Sequence, residues 1–137
     1  MKPGKILFFA AIFATTLFVA CAPEEEPAPA DNRDLYVAAW TLNETSSQIG
    51  PTTYTVHINK VTTNSTQIQI ENFYNIGFSF KATVEVVGNA MTIPQQTYNG
   101  NQLHGSGTKT GANSISMSYY VNNGSTIDTC TANLSRQ

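Results

Sequence analysis

The side chains capable of chemistry are few and widely spaced. A metal site needs donors in short repeats such as His-x-His or Cys-x-x-Cys, and neither His57 nor His104 has such a neighbour. In the alternation of a strand, His57 shares a face with Thr53 and Thr55, and His104 shares one with Ser106 and Thr108, so both are expected to face solvent. The carboxylates Glu44, Glu71, Glu85 and Asp128 are separated by long stretches. No motif draws two of them together as a glycosidase pair requires. Gly105-Ser106-Gly107 lacks the strand-to-helix elbow that makes a serine nucleophilic, and no glycine-rich loop leads into a helix to cradle a phosphate. Cys130 shares a face with Ala132 and Leu134, which predicts a small buried hydrophobe in preference to a reactive thiol. The expectation is a non-enzymatic protein with no catalytic residues, no metal and no cofactor.

Cys21 is the exception, because its surroundings specify a reaction. Met1-Lys2-Pro3-Gly4-Lys5 carries two positive charges and precedes an uncharged apolar run over residues 6–20. At about 1.5 Å per residue that run is roughly 22 Å long, short of the roughly 30 Å hydrocarbon core. It therefore reads as an export signal, not a spanning helix. The run ends in Leu17-Phe18-Val19-Ala20-Cys21, which resembles a bacterial lipoprotein signal, with a small Ala before a Cys whose thiol takes a diacylglyceryl group. Anchoring through acylated Cys21 makes the membrane a partner, since each buried methylene contributes about 0.8 kcal/mol.

Residues 22–30, Ala-Pro-Glu-Glu-Glu-Pro-Ala-Pro-Ala, contain no large apolar side chain and form an extended spacer. At about 3.1 Å per residue the stretch from Cys21 to Asn32 reaches roughly 35–40 Å. Glu24, Glu25 and Glu26 resist an anionic headgroup layer. They also resemble the acidic tract that marks Bacteroidetes lipoproteins for the outer leaflet of the outer membrane; a spacer without address content is the other reading. The organisation is thus a signal peptide over residues 1–20, a lipidated tether over 21–33 and one domain over 34–137. That domain holds four cations against five anions, which excludes a nucleic-acid surface.

From residue 34 the chain is rich in Thr, Ser, Asn, Val, Ile and Tyr, with turn signals at intervals of about 8–12 residues, the pattern of a sandwich or barrel. Eight strands are predicted, over residues 35–44, 52–61, 67–73, 78–87, 91–98, 102–110, 114–121 and 126–135. Separators such as Gly88-Asn89, Asn99-Gly100-Asn101 and Asn122-Asn123-Gly124 tolerate the positive φ of tight hairpins. Short connections predict an up-and-down meander, and closure into a barrel removes its two edges. The fold class is all-β: a small eight-stranded antiparallel barrel. Alternation turns Tyr54, Val56 and Ile58 inward, with Phe78, Phe80, Ala82, Val84 and Val86, and Ile115, Met117, Tyr119 and Val121. The face of Leu103 continues with Gly105 and Gly107, marking either a barrel corner or a floor beneath a ligand.

In order along the domain, Ala39-Trp40-Thr41, Ile70-Glu71-Asn72-Phe73, the segment from Gly88 to Gln96, His104-Gly105-Ser106-Gly107-Thr108, Ser118-Tyr119-Tyr120 and the segment from Asp128 to Ala132 resemble small Bacteroidetes lipoproteins with a lipocalin-like, or calycin-like, barrel. Two departures stand out: Ala38 occupies the glycine position of the lipocalin Gly-x-Trp, and no cysteine late in the first strand is available to pair with Cys130. The resemblance implies that Trp40 packs at the closed end against Arg136 as a structural closure. It also implies an open end for a small apolar or amphipathic ligand, with unknown binding residues; a monomer at the cell envelope is the expectation. A narrow barrel can instead be filled by its own side chains, leaving a surface module that meets a protein or glycan through its Thr- and Asn-rich exterior or through Tyr74 and Tyr98.

Overall fold

The computed structural model describes residues 30–137; the export segment, Cys21 and most of the spacer lie outside the described residues. The strands are β1 (Ala38–Ser46), β2 (Gly50–Lys60), β3 (Gln67–Glu71), β4 (Lys81–Val87), β5 (Ala90–Tyr98), β6 (Asn101–Gly111), β7 (Ser114–Asn122) and β8 (Ile127–Arg136). Each pairs antiparallel with the next, and β1 pairs with β8 from Trp40 opposite Arg136 to Ser46 opposite Cys130. The meander is therefore a closed barrel, which leaves no strand edge unpaired around the ring. At the β5–β6 hairpin Asn99 and Gly100 both take positive φ (47° and 80°), as the right-handed twist of the flanking strands demands of a two-residue turn.

Alternation places Trp40, Leu42, Val56, Ile58, Ile68, Ile70, Val84, Met91, Ile93, Leu103, Ile115, Tyr119 and Leu134 in one core. Gly105 and Gly107 mark a close approach of β6 to β7. A Cβ on Gly105 would lie 2.5 Å from Tyr119 Cβ and 2.6 Å from its Cα, and one on Gly107 would lie 2.8 Å from Met117 Cγ. The backbone of β7 and the buried Tyr119 and Met117 thus pack directly against the two glycines.

Three segments depart from the sequence reading. The first strand starts at Ala38 and not at residue 35, because Asn32–Leu35 forms a 3-10 turn whose N-cap Asp31 accepts from the Arg33 amide. That turn folds onto the barrel: the Arg33 guanidinium donates to the carbonyls of Val61 and Asn64, each at 2.8 Å. β3 ends at Glu71, where Asn72 turns left-handed (φ 61°). The Asn72 side chain then staples the following loop, donating to the Thr55 carbonyl at 2.8 Å and accepting from the Gly77 amide at 2.9 Å. β4 consequently starts at Lys81, and Phe78, expected inside, lies in the loop at 47% exposure with its ring 5.0 Å from that of His57.

Candidate functional site

Arg136 and Trp40, distant in sequence, meet at one end of the barrel. Cζ of Arg136 lies 4.7 Å from the centroid of the Trp40 ring. The indole Nε1 donates to the Tyr36 carbonyl at 2.8 Å, and the Tyr36 hydroxyl donates to the Gly88 carbonyl at 2.9 Å. Trp40 and Tyr36 are both fully buried. Lys109, also buried, donates from Nζ to the carbonyls of Gly111 and Ala112 in the neighbouring β6–β7 turn. At this end Trp40 and Tyr36 are covered and their polar atoms paired, while Leu35 and Val37 stay exposed.

The opposite end carries a polar cluster that sequence reasoning missed. Continuing the inward face of Trp40 and Leu42 reaches Glu44 and Ser46, and continuing that of Leu134, Ala132 and Cys130 reaches Asp128. Both carboxylates are buried, at 4% and 3% exposure. Glu44 Oε2 accepts from the Tyr54 hydroxyl at 2.7 Å and from the Tyr119 hydroxyl. Asp128 accepts from Ser46 Oγ at 2.6 Å, Tyr74 Oη at 2.7 Å, Ser47 Oγ at 3.0 Å and the Gln48 amide at 3.2 Å. Burial pushes the Asp128 carboxyl up, but these donors outweigh it and hold the group at about 2. Burial, followed by the charges of Glu44 and Asp128, pushes the Cys130 thiol up to about 12. Burial likewise raises the phenols of Tyr54 and Tyr119 well above the usual range. The thiol and phenols therefore stay protonated at neutral pH and act as donors. Among the described residues no buried side-chain nitrogen or oxygen lacks a hydrogen-bond partner, so the cluster is a closed network.

The β3–β4 loop caps this network. Phe73 is fully buried with its ring 4.5 Å from that of Tyr119, and Tyr74 meets Tyr119 edge-on at 6.3 Å. Tyr98 packs on Phe80 at 4.2 Å. Tyr74 and Tyr98, proposed from sequence as surface contacts, are half-buried and packed against the core: Tyr74 follows the left-handed turn at Asn72, and Tyr98 ends β5 against Phe80.

An accessible space that carries aromatic groups lies on the outer surface. A cleft of about 380 Å³ is lined by Gln95, Gln102, His104, Tyr120, Asn122 and Ile127. A register shift between Ile93 and Gln96 on β5 interrupts the ladder and leaves Gln95 projecting outward. His104 and Tyr120 are cross-strand partners whose rings stack at 5.2 Å and 25°. His57 sits elsewhere, 3.8 Å from Glu71, so the two histidines are not brought together.

No family model matches the chain, and no curated protein matches it. Among solved structures it is similar to a redesigned beta barrel, b11L5F_LGL, at 14% identity and a TM-score of 0.59, covering 81% of this chain and 99% of that one. It is also similar to EF1p2_mFAP2b bound to DFHBI, at 12% identity and a TM-score of 0.53, covering 79% of this chain and 100% of that one. At such identities the likeness is one of fold: the chain is a small closed β-barrel.

Proposed function

We propose that the protein is a non-enzymatic binding module of the bacterial envelope, held in the outer membrane by acylated Cys21, whose barrel is a filled scaffold and whose binding surface is external. The observation that carries this reading is the distribution of space. Trp40, Tyr119, Phe73, Met91, Leu42 and Leu103 are all at most 2% exposed within the barrel, whereas the cleft around His104 and Tyr120 opens on its outside. Small-molecule sites span roughly 300–1,000 Å³, so the external cleft is large enough to hold part of a ligand.

A second reading, a small apolar or amphipathic ligand inside the barrel, draws support from the lipocalin-like resemblance and from the loop at the mouth. Phe73 and Tyr74 cover the mouth that such a ligand would enter, and Asn72, Tyr74 and Asn75 hold positive φ, a backbone cost that leaving the mouth would release. EF1p2_mFAP2b, a barrel of the same general shape, is bound to DFHBI. Native mass spectrometry of the protein extracted from its own membrane separates the two. The external reading expects the mass of the acylated polypeptide alone; a stoichiometric apolar molecule that survives extraction would overturn it and favour the interior site.

A further inference from the structure

Charge is divided unevenly around the barrel. The charged side chains that point outward from strands, Glu71, Lys81 and Glu85, belong to β3 and β4, while Lys60 ends β2 on the face of Ile58 and pairs with Asp31 and Asp34 at the rim. On β5–β8, Lys109 and Asp128 are buried and Arg136 is committed to Trp40 at the closed rim. The outer face of four consecutive strands, from Thr92 on β5 to Asn133 on β8, therefore presents hydroxyl, amide and aromatic groups and no Asp, Glu, Lys or Arg. Small soluble domains ordinarily intersperse both signs of charge over roughly a quarter to a third of their surface. An uncharged half-barrel with a cleft in it is a departure from that pattern.

The lining of the cleft narrows what fits. An anion would find no cation there, and a cation would find no carboxylate. A purely apolar ligand would cover the amides of Gln95, Gln102 and Asn122 without pairing them, which disfavours it. A protein partner ordinarily covers about 800 Å² per side with anchors seated in a wider patch. What the lining matches is a neutral ring that carries hydroxyls at its edge and C–H groups on its face. Each primary amide offers two donors and an acceptor, the complement of adjacent hydroxyls that both give and accept. Tyr120, 42% exposed and fixed by its stack on His104, offers a preordered aromatic surface beside Ile127 at 58% exposure.

Resting on the external-face reading above, we infer that the cleft binds a neutral pyranose unit of a glycan, with the ring lying against Tyr120 and its hydroxyls paired with Gln95, Gln102 and Asn122. The test is saturation-transfer NMR on the full-length protein in lipid nanodiscs, with empty nanodiscs as the blank and cellohexaose, laminarihexaose, mannohexaose and chitohexaose as probes. The expected result is saturation of the ring protons of at least one sugar, with an affinity that holds between about 50 and 500 mM salt because no charge is paired. Tyr120→Ala weakens binding by about tenfold or more and Gln102→Ala by several-fold, while Tyr120→Phe, which keeps the ring, retains it. Saturation of no sugar, loss of binding in high salt, or indifference to Tyr120→Ala overturns the proposal. So does concentration-dependent self-association that Ile127→Glu abolishes, since the face would then be an interface between copies. The filled-barrel reading is judged separately, by the native mass, and survives any of these failures.

Discussion

Arg136 stacks over Trp40 across the seam where the last strand meets the first, 4.7 Å from guanidinium carbon to ring centroid. The same guanidinium donates to the carbonyls of Leu35 at 2.6 Å and Val37 at 3.3 Å, tying β8 to the N-terminal turn as well as to β1. A cation over an indole contributes about 0.5–2 kcal/mol, and two hydrogen bonds add to it. Arg136→Ala is expected to lower the melting temperature by about 4–8 °C for each kcal/mol lost. Arg136→Lys recovers only part, because an ammonium lacks the planar fork. Calorimetry on the two variants checks this, and an unchanged midpoint for Arg136→Ala would remove the closure role.

Asp128 makes stability depend on acid. Its folded-state value, about 2, lies below the ordinary 3.8, so the folded state favours the ionised form. The stabilisation is complete above the unfolded value and is lost as pH falls from about 4 to about 2. One pKa unit corresponds to about 1.4 kcal/mol, so the group contributes on the order of 2 kcal/mol. Asp128→Asn is expected to lower stability at pH 7 and to flatten the acid limb. Urea midpoints measured between pH 2 and 6 in both proteins read the difference, and parallel curves would exclude Asp128 as the titrating group.

The ladder of eight strands was legible because alternation and hairpin turns are local signals. Val84 and Val86 on β4, or Ile115 and Met117 on β7, could be placed inside from their own neighbours alone. What failed was continuation past the point where a strand stops. Phe78 obeys the parity of Phe80, yet Asn72 turns left-handed and the pairing of β3 with β4 resumes only at Lys81 opposite Glu71. Glu44 and Asp128 failed in the opposite sense. Their parity with Leu42 and Cys130 is clean, but two buried carboxylates look implausible until Tyr54, Tyr74, Tyr119 and Ser46, contributed by four different segments, are seen to supply the donors. The cleft at Tyr120 depends on a register shift in β5 at Pro94, whose missing N–H was the one available signal.

Gly105 is where β6 can approach β7. A methyl group there would meet the Tyr119 backbone at 2.6 Å, and backbone cannot move aside without breaking the ladder. Gly105→Ala is therefore expected to cost about 3 kcal/mol or more, beyond the usual overpacking range of 1–3. Gly107→Ala costs less, because its nearest neighbour is the flexible Met117 side chain at 2.8 Å and its backbone contact, the Ser116 carbonyl at 2.9 Å, is looser than that of Gly105 with the Ser118 carbonyl. Chemical denaturation ranks the two, and equal losses would contradict the close approach.

Cys21 governs address in the proposed reading. Cys21→Ala is expected to abolish incorporation of radiolabelled palmitate and to shift the protein from the membrane pellet to the soluble fraction, while the circular dichroism of the barrel is unchanged. Retention in the pellet after a high-salt wash would argue that something other than an acyl chain holds it.

Glu44 tests whether the buried network is structural. Removing its carboxylate alone strands the hydroxyls of Tyr54 and Tyr119, which both donate to Oε2, in a site with little water to replace it. Each stranded donor costs about 1–3 kcal/mol, so Glu44→Leu is expected to lose about 3 kcal/mol or more. Tyr54→Phe or Tyr119→Phe, each removing one donor while Glu44 keeps the other, should lose only about 1 kcal/mol. The sharper expectation is non-additive. In the triple variant Glu44→Leu, Tyr54→Phe, Tyr119→Phe no polar group of this trio remains to be stranded, so the triple should be more stable than Glu44→Leu alone. Urea unfolding of the four proteins decides it. If the triple instead loses the sum of the single losses, the three side chains act independently and the carboxylate is not the acceptor that joins them.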